Sequence, residues 1–372
     1  MENQLKQSSG ETTYPSSILM GFVFFGAGNI GDDLMVAGFV QSLSILNPES
    51  PTKIYSKTRH NVESQRIRFP EISWTHTDDK KVYDPAEIEC WAGVGDTPFQ
   101  LTSGDWSLQI LLSDLEVIPK FQNRVLVSIG AETEIQPRAK DFARVANAFE
   151  RISTRDENST RILVDLLGVP SSRVFTGSDL ANISLPGILE NRSINKEFDL
   201  GLIIAGDTLS KKDIKQVGEF IANRTDPVAF IAGETRLEPS FERGIFAKLT
   251  RFPWSRVRGK AILQVPSYEQ GSLYDLVHPI CACETVISSR YHGLLTAAWA
   301  GCKVAAIGRG SKVSALAQLL GVPYCELPVT REKLEFLEKE ASTVSKDVLT
   351  EFRQKALAGV SYALGIPGSG AI

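Results

Sequence analysis

The sequence predicts an α/β protein of two Rossmann-like domains, each a parallel sheet covered by helices, and three observations carry that expectation. The chain has 372 residues, more than one ordinary domain needs and enough for two. Apolar runs rich in Val and Ile, several ending in Gly, alternate with helix-period stretches, the pattern of strands buried on both faces between crossover helices. That alternation lapses once, from Leu185 to Phe198, and then restarts.

The elements follow in order. Residues 1–17 form a polar tail expected to be disordered. SILMGFVFFG is then the first buried strand, and DDLMVAGFVQSLSIL the helix behind it. TKIYSK, IECWAGVG and RVLVSIGA are strands and DFARVANAFERI is a helix. In RISTRDENSTRILVDLLG a short strand ends at Arg155, and a helix with the face Ile162, Leu163, Leu166 and Leu167 comes next. These elements make an N-terminal domain over residues 18–190. The weakly patterned LPGILENRSINKEF marks its boundary. DLGLIIAG, PVAFIAGE, KAILQVP, ETVISSR and KVAAIG then supply strands, and KQVGEFIANR a helix, for a C-terminal domain over 198–345. Residues 346–372 are a C-terminal helix and tail, the last residues GIPGSGAI being a frayed end.

The 40 Lys and Arg against 44 Asp and Glu give a formal charge of -4, which excludes broad attraction to nucleic acid or to an anionic membrane and leaves room for a local basic pocket. The five cysteines contain no Cys-x-x-Cys pair, so neither a disulfide framework nor a structural zinc site is expected. The apolar run Ile18 to Phe25 is too short to span a bilayer and lacks a cleavage signature, which predicts a soluble cytoplasmic protein. No carboxylate or histidine cluster has metal spacing, and neither metal nor cofactor is expected.

In doubly wound sheets ligands bind beyond the carboxyl ends of the strands, so two facing domains offer a cleft. Gly26-Ala27-Gly28-Asn29-Ile30-Gly31 fits the G-x-G-x-x-G dinucleotide pattern between a strand and a helix. Asp32 and Asp33 come next, however, and their carboxylates occupy the helix N-terminus that a pyrophosphate needs. The structural alternative is a tight turn with Asp32 or Asp33 as the cap. The functional alternative is an acceptor loop in which Asn29 and Asp32 face sugar hydroxyls.

SSRYHG places Arg290 and His292 two residues apart at a strand end, from which an extended chain would project both side chains together into the cleft. A helix N-terminus follows. A guanidinium, an imidazole and free N–H groups suit a small, multiply charged anion. In GRGSK, Arg309, Ser311 and Lys312 form a second anion loop at the next strand-to-helix turn. Arg155 ends a strand in the first domain, where it either joins this site or braces Asp156 or Glu157.

GNIGDDL, RISTRDENSTRILVDLLG, TGSDLA, SSRYHGLLTAAWAG and GSKVSALAQLLG, in this order, resemble the polysaccharide pyruvyl transferases from Gly28 to about Gly321. The resemblance implies a GT-B-like arrangement of the two halves. It also implies transfer of the enolpyruvyl-derived unit of phosphoenolpyruvate to sugar hydroxyls, commonly as a ketal, in polysaccharide or exopolysaccharide biosynthesis. Arg290 and His292 match the family's Arg-x-His element, which implies phosphoenolpyruvate binding and proton donation. Arg155 and Lys312 match its other basic positions, and Asn29, Gly31, Asp32 and Asp179 match further signature positions. A sugar or lipid-linked glycan is the implied acceptor, with peripheral association with membrane-bound glycan assembly machinery. One segment departs from the family: WAGVGDTPFQ, with Trp91, Asp96 and Phe99, stands where a more glycine-rich turn is expected.

On this reading His292 is the acid, Arg290, Arg155 and Lys312 hold the donor's anionic groups, and Asp32 orients the acceptor as a base. The rivals are a GT-B glycosyltransferase using a nucleotide-sugar and an inactive sugar-binding protein.

Overall fold

The apolar runs become two wholly parallel sheets. The computed structural model describes residues 14–366 except 23–24, 80–82, 103, 206–208, 237–240, 252–256, 258 and 309. Arg309, most of the N-terminal tail and residues 367–372 therefore lie outside the described residues. In the first sheet β1 (Ser17–Gly21), β2 (Lys53–Thr58), β3 (Ile72–His76), β4 (Cys90–Val94), β5 (Asn123–Ile129), β6 (Arg151–Thr154) and β7 (Val174–Thr176) run in the order β3-β2-β1-β4-β5-β6-β7. The second sheet arranges β8 (Phe198–Ile203), β9 (Val228–Ile231), β10 (Ala261–Gln264), β11 (Cys283–Ser288), β12 (Lys303–Gly308) and β13 (Tyr324–Glu326) as β10-β9-β8-β11-β12-β13. Both are doubly wound, and strand order reverses between β1 and β4 and again between β8 and β11.

Burial explains the composition of these strands. Every residue of β4 (CWAGV) and β9 (VAFI) is buried, so neither strand alternates polar with apolar. In the second sheet Val286 and Val304 face one apolar cluster, while Ile287 and Ala305 face the other. Ile30, Leu34, Ala181 and Leu185 of the first domain join the Val286 cluster, so an apolar core continues across the junction of the domains. The helix Lys346–Leu364 returns to the first sheet, where Ala356, Leu357, Val360 and Ala363 enter its core. Arg151 Nε donates to Ala363 O at 2.9 Å and Tyr362 OH to Ser172 O at 2.8 Å.

Three elements differ from expectation, one being the helix expected over DFARVANAFERI, which ends at Ala146 so that Arg151 and Ile152 belong to β6. The first strand stops at Gly21 because Phe22 turns to φ 72°, which ends the extended run inside SILMGFVFFG. The helix after Arg155 is a short turn, Glu157–Arg161, continued by a π-helical turn, Ile162–Leu166. Its predicted face holds for Ile162, Leu163 and Leu167, with Leu166 half-buried. Among the described residues no helix is long and apolar enough to cross a membrane.

Candidate active site

The glycine-rich loop after β1 is closed by the second domain. Gly28 (φ 96°) accepts Thr235 N–H through its carbonyl at 2.9 Å, and a Cβ on Gly28 would meet Thr235 Oγ1 at 2.4 Å. Ile30 N–H donates to Gly233 O at 3.3 Å, and Asn29 bridges Glu234. A Cβ on Gly31 would lie 1.9 Å from His292 Nδ1. The glycines thus admit the other domain, where a dinucleotide fold would admit pyrophosphate.

Asn29 is the cap of the helix Ile30–Leu46, in place of the expected Asp32 or Asp33. Its Oδ1 accepts Gly31 N–H at 3.0 Å and its Nδ2 donates to Asp32 Oδ1 at 3.0 Å. Asn29 alone of the three precedes the helix, where a side chain can reach back to the free N–H groups. Asp33 instead pairs with Arg68 at 2.7 Å, both side chains buried, and Arg68 Nη2 crosses to donate to Tyr268 O.

At the other switch point β11 ends at Ser288, whose Oγ accepts Arg290 N–H at 3.0 Å and turns the chain. Arg290 is therefore the N-cap residue of the helix Tyr291–Trp299, and His292 belongs to its first turn. The expected side-by-side projection from an extended strand does not occur. Arg290 forks onto buried Glu242, with Nε to Oε1 at 2.6 Å and Nη2 to Oε2 at 3.0 Å. His292 points toward the first domain, its Nε2 3.3 Å from Asp179 Oδ2, with neither atom in an aligned hydrogen bond. Both residues nevertheless line one cavity. No side chain caps the helix, and Tyr291, His292 and Gly293 line that cavity, which leaves the N–H groups of its first turn to an anion.

The first domain adds Arg155, which directly follows β6. Its Nη2 donates to Thr97 Oγ1 at 2.8 Å, its guanidinium lies 4.8 Å from the Tyr291 ring centroid, and Asp156 and Asp179 stand 3.6 and 3.9 Å away. Arg155 thus stands against Asp156 and also lines the cavity. Lys312 reaches across from the second domain to place Nζ 3.2 Å from Glu132 Oε1, and Glu132 also accepts from Thr102 Oγ1. Ser311 is exposed at the start of the helix Ser311–Leu320 and does not line the cavity.

Asn29, Gly31, Asp32, Arg155, Arg290, His292 and Lys312 thus meet at a cavity of about 90 Å³ between the two switch points, with Asp179 behind the imidazole. It opens beside a wider cleft of about 910 Å³. Burial pushes the Asp179 carboxyl up, but His292, Arg155 and the Ala181 N–H outweigh it and hold the group below the usual carboxylate range. Burial lowers the Lys312 ammonium despite Glu132. Asp32 is held well above its ordinary value, first by burial and then by Asp96, Glu234 and Asp33.

Sequence reasoning missed Glu242, Glu132, Thr97 and Glu234. One signal existed for Glu242: it shares the buried face of its helix with Ile245 and Leu249, where an acid needs a partner.

The architecture is shared with solved structures of low sequence identity. UDP-GlcNAc 2-epimerase from Neisseria meningitidis, bound to UDP-GlcNAc, aligns with a TM-score of 0.63 at 14% identity, over 94% of this chain and 100% of that one. A putative UDP-N-acetylglucosamine 2-epimerase from Listeria monocytogenes gives 0.59 at 15% identity, over 95% and 94%. A glycosyltransferase from Rickettsia africae gives 0.52 at 9%, over 94% and 95%. These likenesses establish a GT-B-like fold. No curated protein sequence matches the chain significantly. The model of the family described as polysaccharide pyruvyl transferase matches residues 29–311, which run from the Asn29 cap through Arg155, Asp179, Arg290 and His292 to the start of the Lys312 helix. That span is most of the chain and contains both switch points, and the protein accordingly belongs to the polysaccharide pyruvyl transferase family of enzymes.

Proposed function

We propose that the protein transfers the enolpyruvyl-derived unit of phosphoenolpyruvate to a sugar of a polysaccharide or its precursor, forming a pyruvate ketal and releasing phosphate. One observation carries this reading: an imidazole sits in a compact chamber with two guanidiniums, an ammonium and an uncapped helix N-terminus. The donor is small, carries a carboxylate and a phosphate, and reacts through a carbon that needs a proton.

Arg290 keeps N–H groups beyond the two held by Glu242, and these grip the donor together with Arg155 and Lys312. Asp179 Oδ2, 3.3 Å from Nε2, holds the imidazole in place at the chamber. His292 then protonates C3 while cationic character develops at C2. A sugar hydroxyl attacks C2, phosphate leaves, and a second hydroxyl closes the ketal. Asp32, whose carboxyl burial raises, lines both the chamber and the wider cleft and serves the acceptor side. The acceptor lies in the wider cleft, whose wall includes exposed Trp106, a surface for a sugar ring. A lipid-linked acceptor would bring the protein to the membrane surface as a peripheral partner.

The test incubates the protein with phosphoenolpyruvate and a panel of p-nitrophenyl glycosides and follows inorganic phosphate. Phosphate release that depends on both substrates is the expected result. Release of a nucleoside diphosphate from a nucleotide-sugar, without phosphate from phosphoenolpyruvate, would overturn it in favour of glycosyl transfer.

A further inference from the structure

The small chamber and the wider cleft have five lining residues in common, Asn29, Asp32, Asp96, Arg290 and Lys312. These side chains stand where a donor held among the cations meets an acceptor in the cleft. Two of them are carboxylates, and Asp96 is the one without a role so far. It follows Gly95 at the end of β4, at the switch point of the first sheet, with φ 58°. Asp and Asn enter that left-handed region more readily than other residues with a Cβ, but it is still an uncommon backbone. The surroundings hold it there: Asp96 O accepts Gly130 N–H at 2.7 Å, and Asp96 N–H points to Met35 Sδ at 3.1 Å. This is also the turn in which the sequence departs from the glycine-rich segment expected of the family. An acid held in place at the mouth of the donor chamber, lining both chamber and cleft, calls for a use.

We propose that Asp96 is an acid–base residue that works with Asp32, the two carboxylates taking the protons of two hydroxyl groups on one acceptor sugar as the ketal forms. The proposal rests on the pyruvyl-transfer reading. Its balance closes: two C–O bonds form at C2, the C2–C3 double bond becomes single, and the C2–O bond to phosphate breaks. Of the two hydroxyl protons, one replaces the proton that His292 gives to C3. The other leaves on hydrogen phosphate. No electrons are gained or lost.

Asp32 is buried and Asp96 half-buried at the same mouth, and the charge of Asp96 acts on Asp32, so the two carboxyls suit this sequence because they resist being ionised together. Asp32 is raised by burial and then by the charge of Asp96, while burial raises Asp96 over the opposing Thr97 N–H, Lys312, Arg155 and His292. The ionised member takes the first hydroxyl's proton. The protonated member passes its own to the leaving phosphate and then takes the second. The acceptor is accordingly a diol on a single sugar unit.

The test compares wild type, Asp96→Asn, Asp96→Gly and Asp32→Asn with phosphoenolpyruvate and p-nitrophenyl glucosides, galactosides and mannosides, together with their 4-deoxy and 6-deoxy forms. Asn tolerates a left-handed backbone, so Asp96→Asn should melt as wild type does and keep its thermal shift with phosphoenolpyruvate. Phosphate release should fall by about 100-fold or more, and the pH–rate profile should lose one ionisation. Asp96→Gly relieves the backbone and should show the same loss. Near-wild-type rates in either variant, within about threefold, overturn the proposal while leaving pyruvyl transfer intact. Loss of phosphate release in wild type with every glycoside would instead remove the pyruvyl-transfer reading, and this proposal with it.

Discussion

The two switch points share a strand order and carry opposite chemistry. Behind β1, the helix Ile30–Leu46 has its N-terminus filled by Asn29 and its first turn loaded with Asp32 and Asp33. Behind β11, the helix Tyr291–Trp299 has no side-chain cap and begins with Arg290 and His292. The backbone dipole points the same way in both. In the first domain it is spent on a side-chain amide and two acids, whereas in the second it remains available to an anion. The fold supplies two equivalent places, and the residues of one helical turn decide that one is filled by side chains and the other is left open.

The largest expected effect tests the receiving side. His292→Ala should lower phosphate release at least about 100-fold, the range for a lost general acid, while phosphoenolpyruvate still raises the melting temperature through Arg290, Arg155 and Lys312. Incorporation of solvent deuterium at C3 of the product reads the same step and should be lost in parallel. Wild-type incorporation in this variant would remove His292 as the proton source and leave the second switch point as a mere anion holder.

Gly31→Ala sharpens the comparison from the opposite side. A Cβ there would stand 1.9 Å from His292 Nδ1, so the ring has to shift from its present position beside Asp179. A displacement of about 1 Å in a reacting group costs roughly 100-fold, and kcat should fall by about 10- to 100-fold with the melting temperature less affected. In a dinucleotide loop the same glycine would serve the approach of a pyrophosphate. Unchanged kcat in the variant would show that contact between the switch points does not set the position of the acid.

What the sequence made legible follows from this arrangement. The central strands are long, doubly buried apolar runs, and β1, β4, β5, β8, β9, β11 and β12 all stood out for that reason. Strands β3, β7 and β13 did not. Each lies at a sheet edge, β7 and β13 are three residues long, and none is apolar throughout. At the site, the basic residues were visible because they end strands. Their partners were not, since Glu242 and Glu132 are chosen by tertiary proximity that no local spacing encodes. The angle between Arg290 and His292 was misjudged for a related reason: Ser288 Oγ bends the chain, a helix begins at Tyr291 with only two residues between it and the strand, and alternation ceases to apply.

The smallest effect concerns the acid that the first switch point does not expose. Burial lifts the Asp33 carboxyl to about 6, against the opposing pull of Arg68. The folded protein then holds this proton more tightly than the unfolded chain, whose carboxyl titrates near 3.9. Stability from this group is therefore complete below about pH 4 and is lost as pH rises toward 6. Asp179 runs the other way, since its folded carboxyl is depressed and its contribution is present above the unfolded value and lost in acid. In Asp33→Asn a neutral amide replaces a carboxyl that is itself neutral in the folded wild type at pH 4, so the two should melt close together there. Between pH 4 and 7 wild type loses stability that the amide keeps, and the variant should gain a few degrees on wild type, on the order expected for one or two pKa units in a chain of this size. A variant that instead falls below wild type as pH rises would mean that pairing with Arg68 outweighs desolvation, and the acids of the first domain would then be anchors of the junction and not groups poised to hold protons.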